Sequence, residues 1–294
     1  MLRILPLIVF VSAVFLTACE NDFSPKSDYE ERIVVFSVLD RAAAYQVVRL
    51  ERTFDAESTN PDAAIIPDPV AQADVVIATN KKRYVFHDTL FTLGDGSQKK
   101  VWINRELVVT EGTDYTLTVD VPNYKRITAV AQVPSRAYAQ LQVVNGGVRL
   151  GAVENTAYPA NGYYFRMWVV GNKFVGGKNV EVRREVPSRV IAATDEFEYP
   201  EPTRDKSLTF SRGNLMRIHS ELLEKDSVSG ADVVGIAYSL EQYLYSYYKL
   251  TRGFDDPVSF RQDRPDISNI QNGVGIFGAM YPDSVRARFS SLAQ

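Results

Sequence analysis

The sequence is poor in the residues that build metal centres and redox centres. Its 294 residues include one cysteine, Cys19, and two histidines, His87 and His219. A single thiol excludes a disulfide scaffold and a CxxC redox centre, and two histidines exclude most His-rich metal sites. Positive charge is not in excess either, because 33 Lys and Arg residues face 36 Asp and Glu residues. This near balance argues against a dedicated nucleic-acid-binding protein.

Apolar residues, in contrast, are abundant enough to form a large core. Hydrophobic residues make up 45% of the chain and aromatic residues 11%, with 16 tyrosines among them. This composition is typical of a folded globular protein rather than of a disordered or fibrous one.

The N-terminus has the layout of an export signal. Arg3 precedes an apolar run from Ile4 to Thr17, which is too short to span a bilayer as a stable helix. The run ends in Leu16-Thr17-Ala18-Cys19, which resembles the lipobox of bacterial lipoproteins, where the chain is cut before the cysteine and the cysteine is acylated. An ordinary secretory signal followed by an unrelated cysteine is the alternative.

On the lipobox interpretation, residues 1–18 are a signal peptide and Cys19 is the lipidation site. Several acyl chains on Cys19 would anchor the protein stably in a membrane, whereas one chain alone is marginal. Residues 19–30 are rich in polar residues and predict a flexible tether. Glu20 and Asp22 partly match an export signal for the outer face of the outer membrane, so the periplasmic and the surface-exposed face both stay open.

The pattern of the mature chain predicts a mainly β protein with two domains. For residues 31–135 we expect an immunoglobulin-like or transthyretin-like sandwich, because short strand-like runs recur between turn residues. Tyr115-Thr116-Leu117-Thr118-Val119 alternates as a half-buried strand does. The predicted strands of this domain are 32–39, 45–52, 73–78, 83–87, 106–110, 115–121 and 127–133.

Residues 136–294 predict a second, β-rich domain with one short helix. Ser239 and Gln242 form a capping-box pattern, and Leu240 begins an apolar stripe, so we expect a helix over Leu240–Leu250 that stops before Gly253. The segment Asn214–Leu223 is interpreted as a strand, with His219 facing solvent.

The segment Gly273–Gly278 spells GxGxxG, the phosphate-binding fingerprint of dinucleotide sites. Only sixteen residues follow it, which is too few for the helix and second parallel strand that such a site requires. We therefore interpret these glycines as turn or close-packing positions near a C-terminal strand.

Four aromatic residues are candidates for ligand binding, because Trp and Tyr rings stack on sugars. These are Trp102, Trp168, Tyr245 and Tyr248, of which Tyr245 and Tyr248 are expected on an exposed side of the predicted helix. Packing in the core is the alternative for all four. No catalytic residues, metal ligands or cofactor are predicted.

The C-terminal stretch Ile267–Ala279 resembles the closing signature of the domain of unknown function 4249 family, a family of outer-membrane lipoproteins of Bacteroidota-type bacteria. The lipobox cysteine, the Tyr115–Val119 strand, Tyr238–Tyr243 and Phe254–Val258 match the family in the same order. The resemblance implies an accessory lipoprotein that accompanies a TonB-dependent outer-membrane receptor, and it carries no known catalytic residues. An envelope carbohydrate-binding or hydrolytic protein is the alternative, which requires an exposed aromatic cleft beside paired carboxylates.

Overall fold

The structure is a computed structural model that describes residues 30–53, 70–92, 98–154, 157–191, 196–226, 228–251 and 267–292. The predicted signal peptide, Cys19, almost all of the tether, Gly253 and the Phe254–Val258 match lie outside these ranges.

The described residues form sixteen strands and three helices. The strands are β1 Ile33–Asp40, β2 Gln46–Arg52, β3 Asp74–Ala78, β4 Arg83–Thr92, β5 Gln98–Asn104, β6 Asp114–Asp120, β7 Ile127–Gln132, β8 Ala137–Val144, β9 Gly147–Glu154, β10 Gly162–Val175, β11 Lys178–Glu185, β12 Arg189–Ile191, β13 Glu196–Glu198, β14 Ser207–Ser211, β15 Ser229–Leu240 and β16 Val274–Arg288. The helices are α1 Arg212–Asp226, α2 Gln242–Thr251 and α3 Phe289–Leu292. The predicted mainly β fold is confirmed.

Eleven of the strands form one sheet that runs through both halves of the chain. Its order is β11-β10-β15-β16-β1-β2-β5-β4-β3-β6-β7. The C-terminal strand β16 pairs parallel with β1, with Val34 opposite Val274, and antiparallel with β15 on its other side. The predicted domain boundary after residue 135 falls between β7 and β8. Strand β16 contacts both β7, which precedes this boundary, and β8, which follows it.

The first core lies inside the N-terminal sandwich. Strand β6 buries Tyr115, Leu117 and Val119 and turns the residues between them outward, as its alternation predicts. The sheet curls until Thr128 of β7 forms a bridge with Gln271, just before β16, so that the sandwich closes on itself. Phe277 of β16 belongs to this core, and the C-terminal strand therefore completes the N-terminal sandwich.

One predicted strand of the sandwich is wrong. Residues 106–110 belong to no strand, with a bend at Glu106 and no regular structure from Leu107 to Thr110. Leu107 and Val109 are buried in the first core, so the apolar alternation is real. The side chain of Asn104 accepts the N–H groups of Glu106 and Leu107 at 2.9 and 2.7 Å, which turns the chain away from the strand direction.

The second core lies between β10, β15, the three-stranded sheet β14-β9-β8 and helix α1. The predicted strand Asn214–Leu223 is wrong, because these residues lie in α1. Leu215, Ile218 and Leu222 are the buried residues of α1, and their spacing fits one face of a helix. The hydroxyl of Ser211 accepts the N–H of Asn214 at 3.1 Å and caps the helix start.

The predicted helix in the second half is present as α2, but Ser239 does not cap it. Ser239 is buried within β15. The carboxylate of Glu241 instead accepts the N–H groups of Tyr243 and Leu244 at 3.0 and 3.2 Å, which satisfies two free donors at the helix N-terminus.

Candidate functional site

Trp102, the first predicted ligand-binding ring, lies in the first core. It belongs to β5 and is almost fully buried. Its indole N–H donates to the carbonyl oxygen of Ala73 at 3.3 Å, and the Lys100 ammonium lies 5.5 Å from the ring centre. These contacts are those of a packing residue, and no face of the ring is presented to solvent.

The other three predicted rings lie on the opposite face of the large sheet, where α2 packs. Tyr248 is buried with Leu244 and Tyr247, so the expectation that Tyr248 is exposed is wrong. Burial raises the pKa of the Tyr248 hydroxyl well above its usual value. Tyr245 is half-buried and covers Gly162, where a Cβ atom would lie 2.2 Å from the Tyr245 ring. Tyr245 is thus the most exposed of the four predicted rings.

Trp168 is held by charged neighbours. The guanidinium of Arg166 lies 4.8 Å from its ring centre and that of Arg183 lies 6.0 Å away, both within cation–π range. Arg166 also forms a two-pronged ion pair with Glu185, which lies directly opposite Trp168 in the sheet. This pair raises the pKa of Arg166, so the guanidinium stays charged. With an exposed fraction of 8%, Trp168 supports this ion pair rather than offering a free stacking face.

An open groove of about 770 Å³ lies at one end of the sandwich. One wall is the turn Thr79–Lys82 with Tyr84, whose ring lies 4.7 Å from the Lys82 ammonium. The other wall is the segment Gly112–Thr116. The groove presents hydroxyl, amide, ammonium and carboxylate groups beside the aromatic residues Tyr84 and Tyr115. Sequence reasoning missed it because each wall taken separately has the composition of an ordinary turn.

His219 does not face solvent from a strand, as the sequence predicted. It lies on α1, where its ring stacks on Phe289 with 3.9 Å between the ring centres. Partial burial lowers the pKa of His219. Within the described ranges, no group of three or more His, Cys, Asp or Glu side chains is placed to hold a metal ion.

The segment 267–279 is held in place by hydrogen bonds between its side chains and its backbone. Asn269 donates to the carbonyl oxygen of Phe277 at 2.7 Å and accepts the Phe277 N–H at 3.0 Å. The hydroxyl of Ser268 accepts the N–H of Gly275 at 3.1 Å. Gly275 has a φ of 118°, and a Cβ atom there would lie 2.0 Å from the carbonyl oxygen of Val35. The GxGxxG pattern therefore serves close strand packing and is not a phosphate-binding loop.

The family described as Domain of unknown function (DUF4249) matches residues 20–286. The chain belongs to the DUF4249 family. This confirms the resemblance that the closing signature and the ordered motifs predict. No curated protein matches the chain.

One solved structure similar to this DUF4249 chain is the crystal structure of the chicken CNTN1 FN1-FN3 domains. The sequence identity is 10% and the TM-score is 0.21. The match covers 70% of this chain, which spans 59% of the length of that structure.

The described helices include none that is both long enough and apolar enough to cross a membrane.

A surface that the sequence did not predict lies on the three-stranded sheet. Strands β8 and β9 turn small and apolar side chains such as Leu150 into the second core and leave the other face exposed. On that outer face Tyr138 lies directly opposite Val153, and Gln142 lies opposite Arg149. We call this surface the β8–β9 face, and it comprises Tyr138, Gln140, Gln142, Arg149, Gly151 and Val153, with Ser207 and Thr209 of β14 beside them.

Proposed function

We propose that this protein is a lipid-anchored cell-envelope protein without catalytic activity that contacts a TonB-dependent outer-membrane transporter or presents a ligand to it. The anchor is Cys19, and the protein resides at the outer membrane. The observation that carries the proposal is the composition of the β8–β9 face, which serves as the centre of the contact.

The β8–β9 face has the residue types that protein interfaces favour. Interface centres are enriched in Tyr and Arg and depleted in Lys, Asp and Glu. The eight residues of the face include Tyr138 and Arg149 and contain no Lys, Asp or Glu, although 23% of the chain is charged. Arg136 stacks its guanidinium 4.8 Å from the Tyr138 ring, which holds the ring in place before a partner arrives.

The decisive experiment is a pull-down from the native envelope in mild detergent with a C-terminally tagged chain and mass spectrometry. We expect a transporter in stoichiometric amount. Tyr138→Glu should abolish its recovery, because the variant loses the aromatic ring at the interface centre and puts there a carboxylate that binding must desolvate. Val85→Glu is the matched control, since Val85 and Tyr138 are both 52% exposed and Val85 lies on β4, away from the face. Recovery of the tagged chain alone, or equal recovery with both variants, would contradict the proposal.

The anchor has a separate test. Cys19→Ala removes the acylated sulfur and prevents the cut before residue 19, so we expect the chain to be lost from the outer-membrane fraction. If the variant still sediments with the outer membrane, the lipobox interpretation of Cys19 is wrong.

A second candidate function, glycan binding, is favoured by the groove beside Tyr84. Tyr rings stack on sugar faces, and the threonine and asparagine side chains of the groove can bond hydroxyl groups. Asp114 is the single carboxylate among the described residues that line it, whereas most glycosidases use two, so binding is favoured over hydrolysis. Tyr84→Ala should abolish retention on an envelope polysaccharide column. If the wild-type chain is not retained either, this candidate fails.

A further inference from the structure

Strands β10 and β11 form a hairpin that extends beyond the neighbouring strand. The pairing of β10 with β15 ends at Asn172 and Ser229, while the pairing with β11 continues to Val175 and Lys178. The two-residue turn consists of Gly176 and Gly177, with φ values of 58° and 81°. Positive φ at both central positions is the geometry of a type I′ turn, which fits the twist of a two-stranded ribbon. We call residues 173–180 the hairpin tip.

The hairpin tip exposes apolar side chains on both of its faces. Phe174 is 72% exposed, Val175 is 51% exposed and Val180 is 47% exposed. Phe174 and Asn179 are cross-strand partners and share one face of the ribbon. Val175 and Val180 lie on the opposite face, because side chains alternate along a strand. Exposed apolar side chains therefore lie on both faces of the tip.

The charge of the hairpin tip is positive. Lys173 and Lys178 flank the exposed apolar residues, and residues 171–180 contain no Asp or Glu. Lys178 is exposed and Lys173 is half-buried. Lysines beside apolar groups can keep their ammonium groups in a polar head-group layer while their methylene chains follow the apolar side chains inward.

These features fit a lipid surface better than a protein partner. A flat protein surface that docks on one face of the ribbon would leave either Phe174 or the two valines in water. A bilayer interface surrounds whatever enters it, so it can receive both faces at once. Anionic head groups attract the two lysines, which makes the charge complementary as well.

We propose that the hairpin tip inserts into the interface of a bilayer that contains anionic phospholipids and forms a second membrane contact besides the predicted anchor. This contact goes beyond the proposed function and does not depend on a transporter partner.

The sheet places the tip far from the anchored end of the chain. β1 begins beside Val274, whereas the tip projects past the other end of β16 at Arg288, next to Asp232 of β15. At about 3.3 Å per residue, Val274 and Arg288 are about 45 Å apart along the strand. The chain from Cys19 to Glu30 can span at most about 40 Å. With both contacts made, the strands of the large sheet cannot stand upright on the membrane and are tilted toward its surface.

Vesicle flotation of the mature chain, residues 19–294, tests the proposal, with Cys19→Ala introduced so that both the acyl anchor and the apolar run Ile4–Thr17 are absent. We expect the chain to float with vesicles of phosphatidylethanolamine and phosphatidylglycerol. Phe174→Ser should lower the partition coefficient about tenfold or more, because the variant loses the burial of the aromatic ring. The matched control is Leu90→Ser, an exposed apolar residue of β4 that is 65% exposed and should leave flotation unchanged.

The lysines give an independent readout. Replacing Lys173 and Lys178 together with Gln should lower binding to the anionic vesicles about tenfold or more and leave binding to phosphatidylcholine vesicles unchanged. Unfolding midpoints close to wild type would show that the variants are folded.

Three results would overturn the proposal. The first is an absence of flotation of the Cys19→Ala chain, and the second is equal flotation of the Phe174→Ser and Leu90→Ser chains. The third is a loss of the detergent-extracted partner with Phe174→Ser while vesicle binding is unchanged, which would assign the tip to a protein contact. Failure of the transporter pull-down with intact flotation would overturn the proposed function alone.

Discussion

Arg136 donates two hydrogen bonds to one carboxylate oxygen of Asp283, at 2.9 Å from Nε and at 2.6 Å from a terminal nitrogen. The other oxygen of Asp283 accepts the backbone N–H of Ala139 at 2.8 Å. Asp283 lies in β16, Ala139 lies near the start of β8, and Arg136 directly precedes β8. One carboxylate therefore fixes the strand that begins the second half of the chain onto the C-terminal strand, and with it the orientation of the β8–β9 face.

Replacing this carboxylate should destabilise the fold. Asp283→Asn replaces an acceptor oxygen by a donor that faces Arg136 or Ala139, so we expect the free energy of unfolding to fall by about 1 to 2 kcal/mol. Urea unfolding measures the difference. The matched control is Asp120→Asn, which breaks the more exposed ion pair with Arg126 and should change stability by less than about 1 kcal/mol. Equal losses in the two variants would show that Asp283 has no special role.

Gly275 should tolerate no side chain. Its φ of 118° is strained for any L-residue with a side chain, and an added Cβ would collide with the carbonyl oxygen of Val35. We expect Gly275→Ala to lower the free energy of unfolding by about 3 kcal/mol or more, or to prevent folding.

Gly146→Ala is the comparison for Gly275. Gly146 also has a positive φ, of 86°, but an added Cβ would meet open space. We expect Gly146→Ala to lower the free energy of unfolding by about 1 kcal/mol, from backbone strain alone. Similar urea midpoints for the two variants would mean that the close approach of β16 to β1 is not as tight as described.

The carboxylate that caps α2 should make stability depend on pH. Burial raises the pKa of Glu241 above its ordinary value of 4.5. The folded state then holds the proton more tightly than the unfolded state does. The stabilisation that this proton gives the folded state is fully present below pH 4.5 and is lost as the pH rises through the folded-state pKa.

The measurement is the free energy of unfolding of wild type and Glu241→Gln across this pH range. As the pH rises, the free energy of unfolding of the wild type should fall relative to that of Glu241→Gln, because the variant has no titrating group at residue 241. A difference that is independent of pH would contradict the burial of Glu241.

Helix α2 shows how far local sequence reasoning reaches. The spacing of Leu244 and Tyr247, a property of neighbouring residues, predicts that the helix exists. The predicted start at Leu240 is wrong, because Leu240 is the last residue of β15. The sequence does not show which side of the helix is buried. Tyr248 is buried because its side of the helix packs against the large sheet. The same holds for Asn214–Leu223, whose helical character is decided by contact with the second core.

The sequence by itself determined the mainly β class, the alternation of Tyr115–Val119 and membership in the DUF4249 family, and it predicts an export and lipidation signal at Cys19. These properties depend on composition, short-range periodicity and motifs, all of which can be seen along the chain. Only the tertiary structure decided that β16 lies parallel to β1 and completes the N-terminal sandwich. It also decided that Trp168 lies beneath two guanidinium groups, and that the hairpin tip projects past its neighbours. Pairing between Val34 and Val274 joins residues at opposite ends of the chain, and the burial of shared apolar surface that selects such a pairing leaves no local pattern in the sequence.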